Sequence, residues 1–95
     1  MVYMIVSDEG SLYTGITTDI ERRWRQHLNG SGARHFRSRR PRAVVYLERG
    51  HDRGSASRRE IEIKRMPVAH KRLLPAAAGN ELASSGLAAC LRCDD

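Results

Sequence analysis

Two short runs rich in β-branched and aromatic residues, 2–6 and 12–16, flank Ser7-Asp8-Glu9-Gly10, and a helix start comes directly after the second run. Turn chemistry at that spacing predicts an antiparallel hairpin. Hairpin and helix must then share whatever core 95 residues can build. A chain this short buries only about 60–65% of the surface its unfolded form exposes, which leaves room for one domain with one modest core. The longest apolar runs, 2–6 and 43–47, are too short to cross a bilayer, and Asp8 and Glu9 stand where a signal peptide needs apolar residues. The expectation is a soluble cytoplasmic chain with no membrane partner.

Alternate residues of a strand share a face, so Tyr3 and Ile5 point one way and Val2, Met4 and Val6 the other. Register alone decides whether Tyr13 joins Tyr3. Thr18 and Glu21 have the spacing of a capping box, which predicts Thr18 as N-cap. From Ile20, steps of about 100° place Trp24, His27 and Leu28 on the core side and turn Arg23 toward its edge, whereas Arg22, Arg25 and Gln26 fall opposite. Asn29-Gly30 ends the helix. The Gly- and Arg-rich segment 30–42 reads as a loop too charged to enter the core, 43–48 as a third strand and 55–66 as a second helix stopped by Pro67. On that helix Ala56, Glu60 and Ile63 share a face and Glu62 points away. The division expected is a domain over 1–75 and an extension over 76–95, holding one helix near 80–91.

The formal charge is +6, and 15 of the 17 basic residues are Arg. Residues 34–72 carry 13 of those bases against four carboxylates, so a segment with net +9 sits in a chain whose remainder is negative. Arginine forks hold phosphate through paired hydrogen bonds, and nucleic acid is the simplest polyanion to propose. A codon bias toward Arg on an ordinary solvated surface is the competing reading. The residues expected to bind nucleic acid are Arg34, Arg37, Arg39, Arg40, Arg42, Arg59 and Lys64.

Cutting a phosphodiester needs an activated water, positive charge on the developing phosphorane and stabilisation of the leaving oxygen. Glu60 offers a carboxylate able to anchor one Mg²⁺ or Mn²⁺ that keeps most of its waters. Arg23 offers a permanent cation, and Tyr3 or Tyr13 can orient the attacking water or take its proton, with Arg23 expected to lower the phenol pKa. His27 can shuttle a proton or hold a phosphate. Each residue has a plainer role: the tyrosines as packing, Arg23 as a helix-edge residue, Glu60 as the partner of Ser57 in a capping box. His35, His51 and His70 lack ligand spacing and read as surface residues, and Cys90-x-x-Cys93 as free thiols, since no second pair completes a zinc site.

The chain resembles the GIY-YIG nucleases, and among them the small stand-alone bacterial members, the YhbQ-like group. The resemblance is carried by Val2-Tyr3-Met4, by Tyr13-Thr14-Gly15, and by the block Leu12-Tyr13-Thr14-Gly15-Ile16-Thr17-Thr18-Asp19-Ile20-Glu21-Arg22-Arg23 with Gln26-His27 after it. It covers residues 2 to 72. What it implies is an α/β (α+β) fold, a three-stranded antiparallel sheet flanked by helices, and a site of Tyr3, Tyr13, Arg23 and metal-binding Glu60, with His27 as a fifth member. It also implies a divalent-metal-dependent endonuclease acting on nucleic acid, DNA before RNA, in repair or processing, with a repair protein as a partner. The alternative is a binding module of the same fold without useful turnover. The pattern is departed from twice: the first motif lacks its glycine, and Thr14 stands for the usual aliphatic residue of the second. Many family members carry a late asparagine; Asn80 is the candidate here, with no role assigned.

Overall fold

Strand β1 (Val2–Ser7) runs through the middle of a three-stranded antiparallel sheet, between β2 (Leu12–Ile16) and β3 (Pro41–Glu48), in a computed structural model that describes residues 1–36 and 38–93. A central strand is covered on both faces, which explains why 2–6 is apolar without alternation. Val2, Tyr3, Met4 and Ile5 have no exposed surface. The rest of the chain forms α1 (Ile20–Leu28), a 3₁₀ turn (Arg34–Phe36), β3, α2 (Arg53–Lys64), α3 (Val68–Lys71), a 3₁₀ turn (Leu74–Ala76) and α4 (Leu82–Ser85), in that order.

The hairpin register pairs Tyr3 with Gly15 and Ile5 with Tyr13, so both tyrosines stand on one face. Against that face pack Ile20 and Trp24 of α1 with Phe36, Val44, Leu47 and Leu91. The β1–β3 register pairs Met4 with Tyr46 and Ile5 with Val44, leaving Val45 as an extra residue. That bulge lets Val44 and Leu47, three positions apart, serve the same core. The opposite face carries Val2, Met4 and Tyr46 under Ala56 and Ile63 of α2.

Several local expectations need correction. Asp19, not Thr18, caps α1: its side chain accepts from the Arg22 N–H at 3.1 Å. Helix α2 starts two residues early, at Arg53, because Asp52 and Ser55 form a reciprocal capping box, and it stops at Lys64. Leu28, expected on the core side, is 43% exposed. The basic segment 30–42 does enter the core, through Phe36 at 5% exposure.

The expected helix over 80–91 shrinks to α4, which ends at Gly86 in the left-handed conformation (φ +74°). Beyond Gly86 the chain makes a single turn, closed by the Leu91 N–H on the Leu87 carbonyl at 3.1 Å, and then lies against β3. The Val44 N–H donates to the Leu91 carbonyl at 2.8 Å, Arg92 bridges Ala43, and Leu91 is fully buried. Asn80 completes the cover of this edge, where its amide replaces a strand neighbour. Its Oδ1 accepts from the Leu47 and Leu82 N–H groups at 3.1 and 3.0 Å, and its Nδ2 donates to the carbonyls of Val45 and Pro75 at 2.9 Å. An open sheet edge is thereby blocked. Asn80→Ala strands those backbone groups, and a urea titration should show a loss of about 1–3 kcal/mol. A midpoint unchanged from the parent would refute this reading of Asn80.

Candidate active site

Gly15 sits directly beneath the Tyr3 ring. A Cβ there would lie 2.6 Å from Tyr3 Oη and 3.1 Å from Tyr13 Cε1, inside van der Waals contact with both phenols. The second motif therefore needs glycine because the two tyrosines close over it. Their ring centroids are 6.2 Å apart, Tyr3 buried and Tyr13 half-buried.

Helix α1 delivers Arg23 and His27 to the same place, since residues four apart share a helix face. The Arg23 Nε–H donates to Tyr3 Oη at 3.3 Å and Nη1 donates to Gln26 Oε1 at 3.1 Å, two bonds that fix the guanidinium. Arg22, Arg23 and Gln26 line a hollow of about 300 Å³ with Ile16, Thr17, Thr18 and Asp19.

His27 is 1% exposed. The Ala33 N–H donates to its Nδ1 at 3.3 Å, so the proton of the neutral ring sits on Nε2, which donates to Tyr3 Oη at 2.8 Å. Gly32 permits this closeness, because a Cβ at that position would collide with the ring. Both ring nitrogens are engaged within the protein, Nδ1 with the Ala33 N–H and Nε2 with Tyr3 Oη, so His27 meets the site through the inner phenol. Tyr3 Oη thus receives two hydrogen bonds and keeps its own proton for a third partner. Burial raises the Tyr3 pKa, and the opposing hydrogen bond from Arg23 does not offset it. Arg23 was expected to lower the phenol pKa; at Tyr3 the loss of solvent outweighs the cation.

Burial, reinforced by the charges of Arg23 and His35, lowers the His27 pKa from 6.5 to about 4. A base that is neutral when folded but protonated when unfolded takes stability away as pH falls between those two values. Urea unfolding of the parent should therefore weaken from about pH 7 to about pH 5, and His27→Gln, which cannot titrate, should flatten that dependence. Equal slopes in the two proteins would refute it.

The α2 stripe Ala56, Glu60, Lys64 runs along the outer side of β2. Ala56 shares a hollow with Ile16, and Lys64 Nζ lies 6.0 Å from the Tyr13 ring centroid, so Glu60 falls between these points. Its side chain is 23% exposed, and one oxygen meets Lys64 Nζ at 3.4 Å. Ser57 lies inside α2, so the capping role considered for Glu60 does not arise. Among the described residues no group of three or more His, Cys, Asp or Glu gathers to hold a metal. A single carboxylate, partly open to solvent, that already attracts a cation fits Mg²⁺ or Mn²⁺, which keep waters and take substrate oxygens as further ligands.

The expected nucleic-acid residues separate. Arg59 is held within the fold: its Nε–H donates to Glu48 at 2.9 and 3.2 Å and Nη1 bonds Glu62, tying α2 to β3 together with Tyr46 and His51. Arg39 pairs with Glu9, and Arg40 donates to Cys93 Sγ at 3.3 Å. Arg34 and Arg42 are exposed, with no ion pair among the described residues. Arg37 lies outside the described residues. Pro41 pairs with Ser7 and the Asp8 N–H donates to the Arg40 carbonyl at 2.8 Å, so Arg39 and Arg40 stand at the hairpin-turn end of the sheet.

His35 has a larger part than its spacing suggested. It packs on Tyr13 and Phe36 at 5.5 and 4.9 Å and its Nε2 meets Ser11 Oγ at 3.2 Å. Its only sequence signal was adjacency to the chain's one phenylalanine. His51, also read as a surface residue, bonds Glu48 and Ser55 at 2.7 and 3.0 Å. Cys90 and Cys93 are free.

On an α+β fold, the hairpin stacks two tyrosines on a glycine and a helix pins arginine and histidine to the inner phenol. Residues 1–70 match the GIY-YIG catalytic domain, and the chain belongs to that family. Similar proteins include a UPF0213 protein of Desulfotalea psychrophila, 47% identical over 81% of this chain and 71% of its own length. Others are UPF0213 proteins of Xanthomonas axonopodis (44% identical; 74% and 69% covered) and Cupriavidus necator (44%; 75% and 77%). No solved structure matches the chain. No helix among the described residues is long and apolar enough to cross a membrane.

Proposed function

We propose that this chain is a divalent-metal-dependent endonuclease that hydrolyses phosphodiester bonds, with DNA rather than RNA as its polymer and repair or processing as its setting. The observation that carries the reading is the cluster in which His27 and Arg23 both donate to Tyr3 Oη while Tyr13 stands half-open beside it. In this scheme Tyr3 is the buried anchor. Tyr13, the more exposed phenol, orients the attacking water by accepting a hydrogen bond from it, and takes its proton only when already ionised to the phenolate. Arg23 Nη2 meets a non-bridging phosphate oxygen in the adjoining hollow, where charge grows in the transition state. A cation held by Glu60 supplies Lewis acidity to the phosphate. Arg34 and Arg42 carry the strand beyond the site, as phosphate contacts that position without reading sequence.

Single-turnover cleavage of labelled oligonucleotides separates these roles. Arg23→Ala should lower the rate about 10²–10³-fold with little change in affinity. Arg34→Ala with Arg42→Ala should weaken binding and reduce the salt dependence by about two phosphate contacts while the bound rate survives. If Arg23→Ala loses affinity and rate in the same proportion, the transition-state role is wrong.

A further inference from the structure

We propose that Lys64 is the resident counter-ion of Glu60 and moves to a substrate phosphate when a divalent cation takes its place, coupling cation loading to nucleic-acid binding. The inference rests on the reading of Glu60 as the metal-holding residue. Two carboxylates on α2 and β3 show the contrast that motivates it. Glu48 is saturated: Tyr46, His51 and both approaches of Arg59 occupy its oxygens. Among the described residues Glu60 has one partner only, Lys64 Nζ at 3.4 Å from Oε2.

That partner is built to leave. Glu60 precedes Lys64 by four residues, the orientation in which a helical pair is favourable. The Lys64 side chain is nonetheless 51% exposed against 23% for Glu60, and its four-carbon stem lets the ammonium swing while the carboxylate stays on the helix. The same ammonium lies over the Tyr13 ring, 6.0 Å from the centroid, so a phosphate brought to Tyr13 comes within reach of Lys64. A divalent ion on the Glu60 carboxylate and the Lys64 ammonium beside it repel one another, so each weakens the hold of the other. Any phosphate that draws Lys64 away therefore opens the carboxylate to metal, and by linkage bound metal frees Lys64 for phosphate.

Mn²⁺ titrations followed by electron paramagnetic resonance test this, with and without a short single-stranded DNA, in a Tyr13→Phe background that keeps the ring but does not cut. An exposed ion pair of this kind predicts that Lys64→Met binds Mn²⁺ alone about two- to fivefold tighter than the parent. Adding DNA should then tighten Mn²⁺ binding more in the parent than in Lys64→Met. Equal or weaker Mn²⁺ affinity in Lys64→Met, or an equal effect of DNA on both proteins, overturns the proposal. If Glu60→Gln loses Mn²⁺ while Lys64→Met matches the parent, Glu60 stands and Lys64 alone is wrong. If no protein in the series, the parent included, binds Mn²⁺, both readings fall.

Discussion

Glu60→Ala should lower metal-dependent cleavage by on the order of 10³-fold, the effect of losing several kcal/mol of charge stabilisation at the phosphate. Folding should be spared, because among the described residues the partner lost is Lys64, in a partly exposed pair worth at most about 1 kcal/mol. Nucleic-acid affinity should hold or rise slightly as Lys64 is released. The pattern to measure is a collapsed rate with intact binding and an unchanged melting temperature. A variant that cuts at the parental rate would remove Glu60 from the site; one that fails to bind would make it a structural residue.

The second large effect falls on a residue with no reactive group. Gly15→Ala puts a methyl 2.6 Å from Tyr3 Oη and 2.8 Å from Cζ, in a place walled by two buried or half-buried rings. Tyr3 cannot yield alone, since His27 and Arg23 both hold its oxygen. The expected result is a displacement of the whole cluster. Overpacking of this kind costs about 1–3 kcal/mol in stability. A shift near 1 Å at the reacting groups costs about 10²-fold in rate. Denaturant titration and single-turnover kinetics on one preparation measure both. Gly10→Ala is the control: nothing lies within 4 Å of that position, so its left-handed backbone (φ +86°) costs stability alone. If Gly15→Ala is as stable and as active as the parent, the packing account of the motif fails.

Two β-branched and aromatic runs flanking a turn sequence were enough to find the hairpin, and helical stepping was enough to turn Arg23 and His27 inward. Those signals are local. The misplaced cap of α1 is a contest between neighbours: the Thr17 N–H still pairs with the Met1 carbonyl, so the chain leaves the sheet late and Asp19 becomes the first residue free to turn. At α2 the start expected at Ser55 moves back because Asp52 and the hydroxyl of Ser55, three residues on, close a reciprocal capping box.

Long-range demands account for the rest. Phe36 enters the core from within a basic loop because Tyr13, His27 and His35 offer it aromatic edges at about 5 Å. The C-terminal stretch favours helix by composition, yet β3 has an open edge and the core has a space that Leu91 fills, so the segment leaves its helix at Gly86 and joins the sheet. Arg59 looked like a phosphate ligand by charge; only the fold reveals that Glu48 claims it. The inward set Ala56, Glu60, Ile63 was legible on α2, but that Lys64 joins Glu60 and Tyr13 depends on how α2 lies beside β2.

The most direct test is a cleavage panel: purified protein against labelled single-stranded, duplex and branched DNA and the matching RNA, with Mg²⁺, with Mn²⁺ and with chelator. Discrete products from DNA that appear with either metal and vanish with chelator or in Glu60→Ala are the predicted result. Salt-sensitive binding with no product on any substrate, or cleavage that chelator leaves untouched, would contradict it.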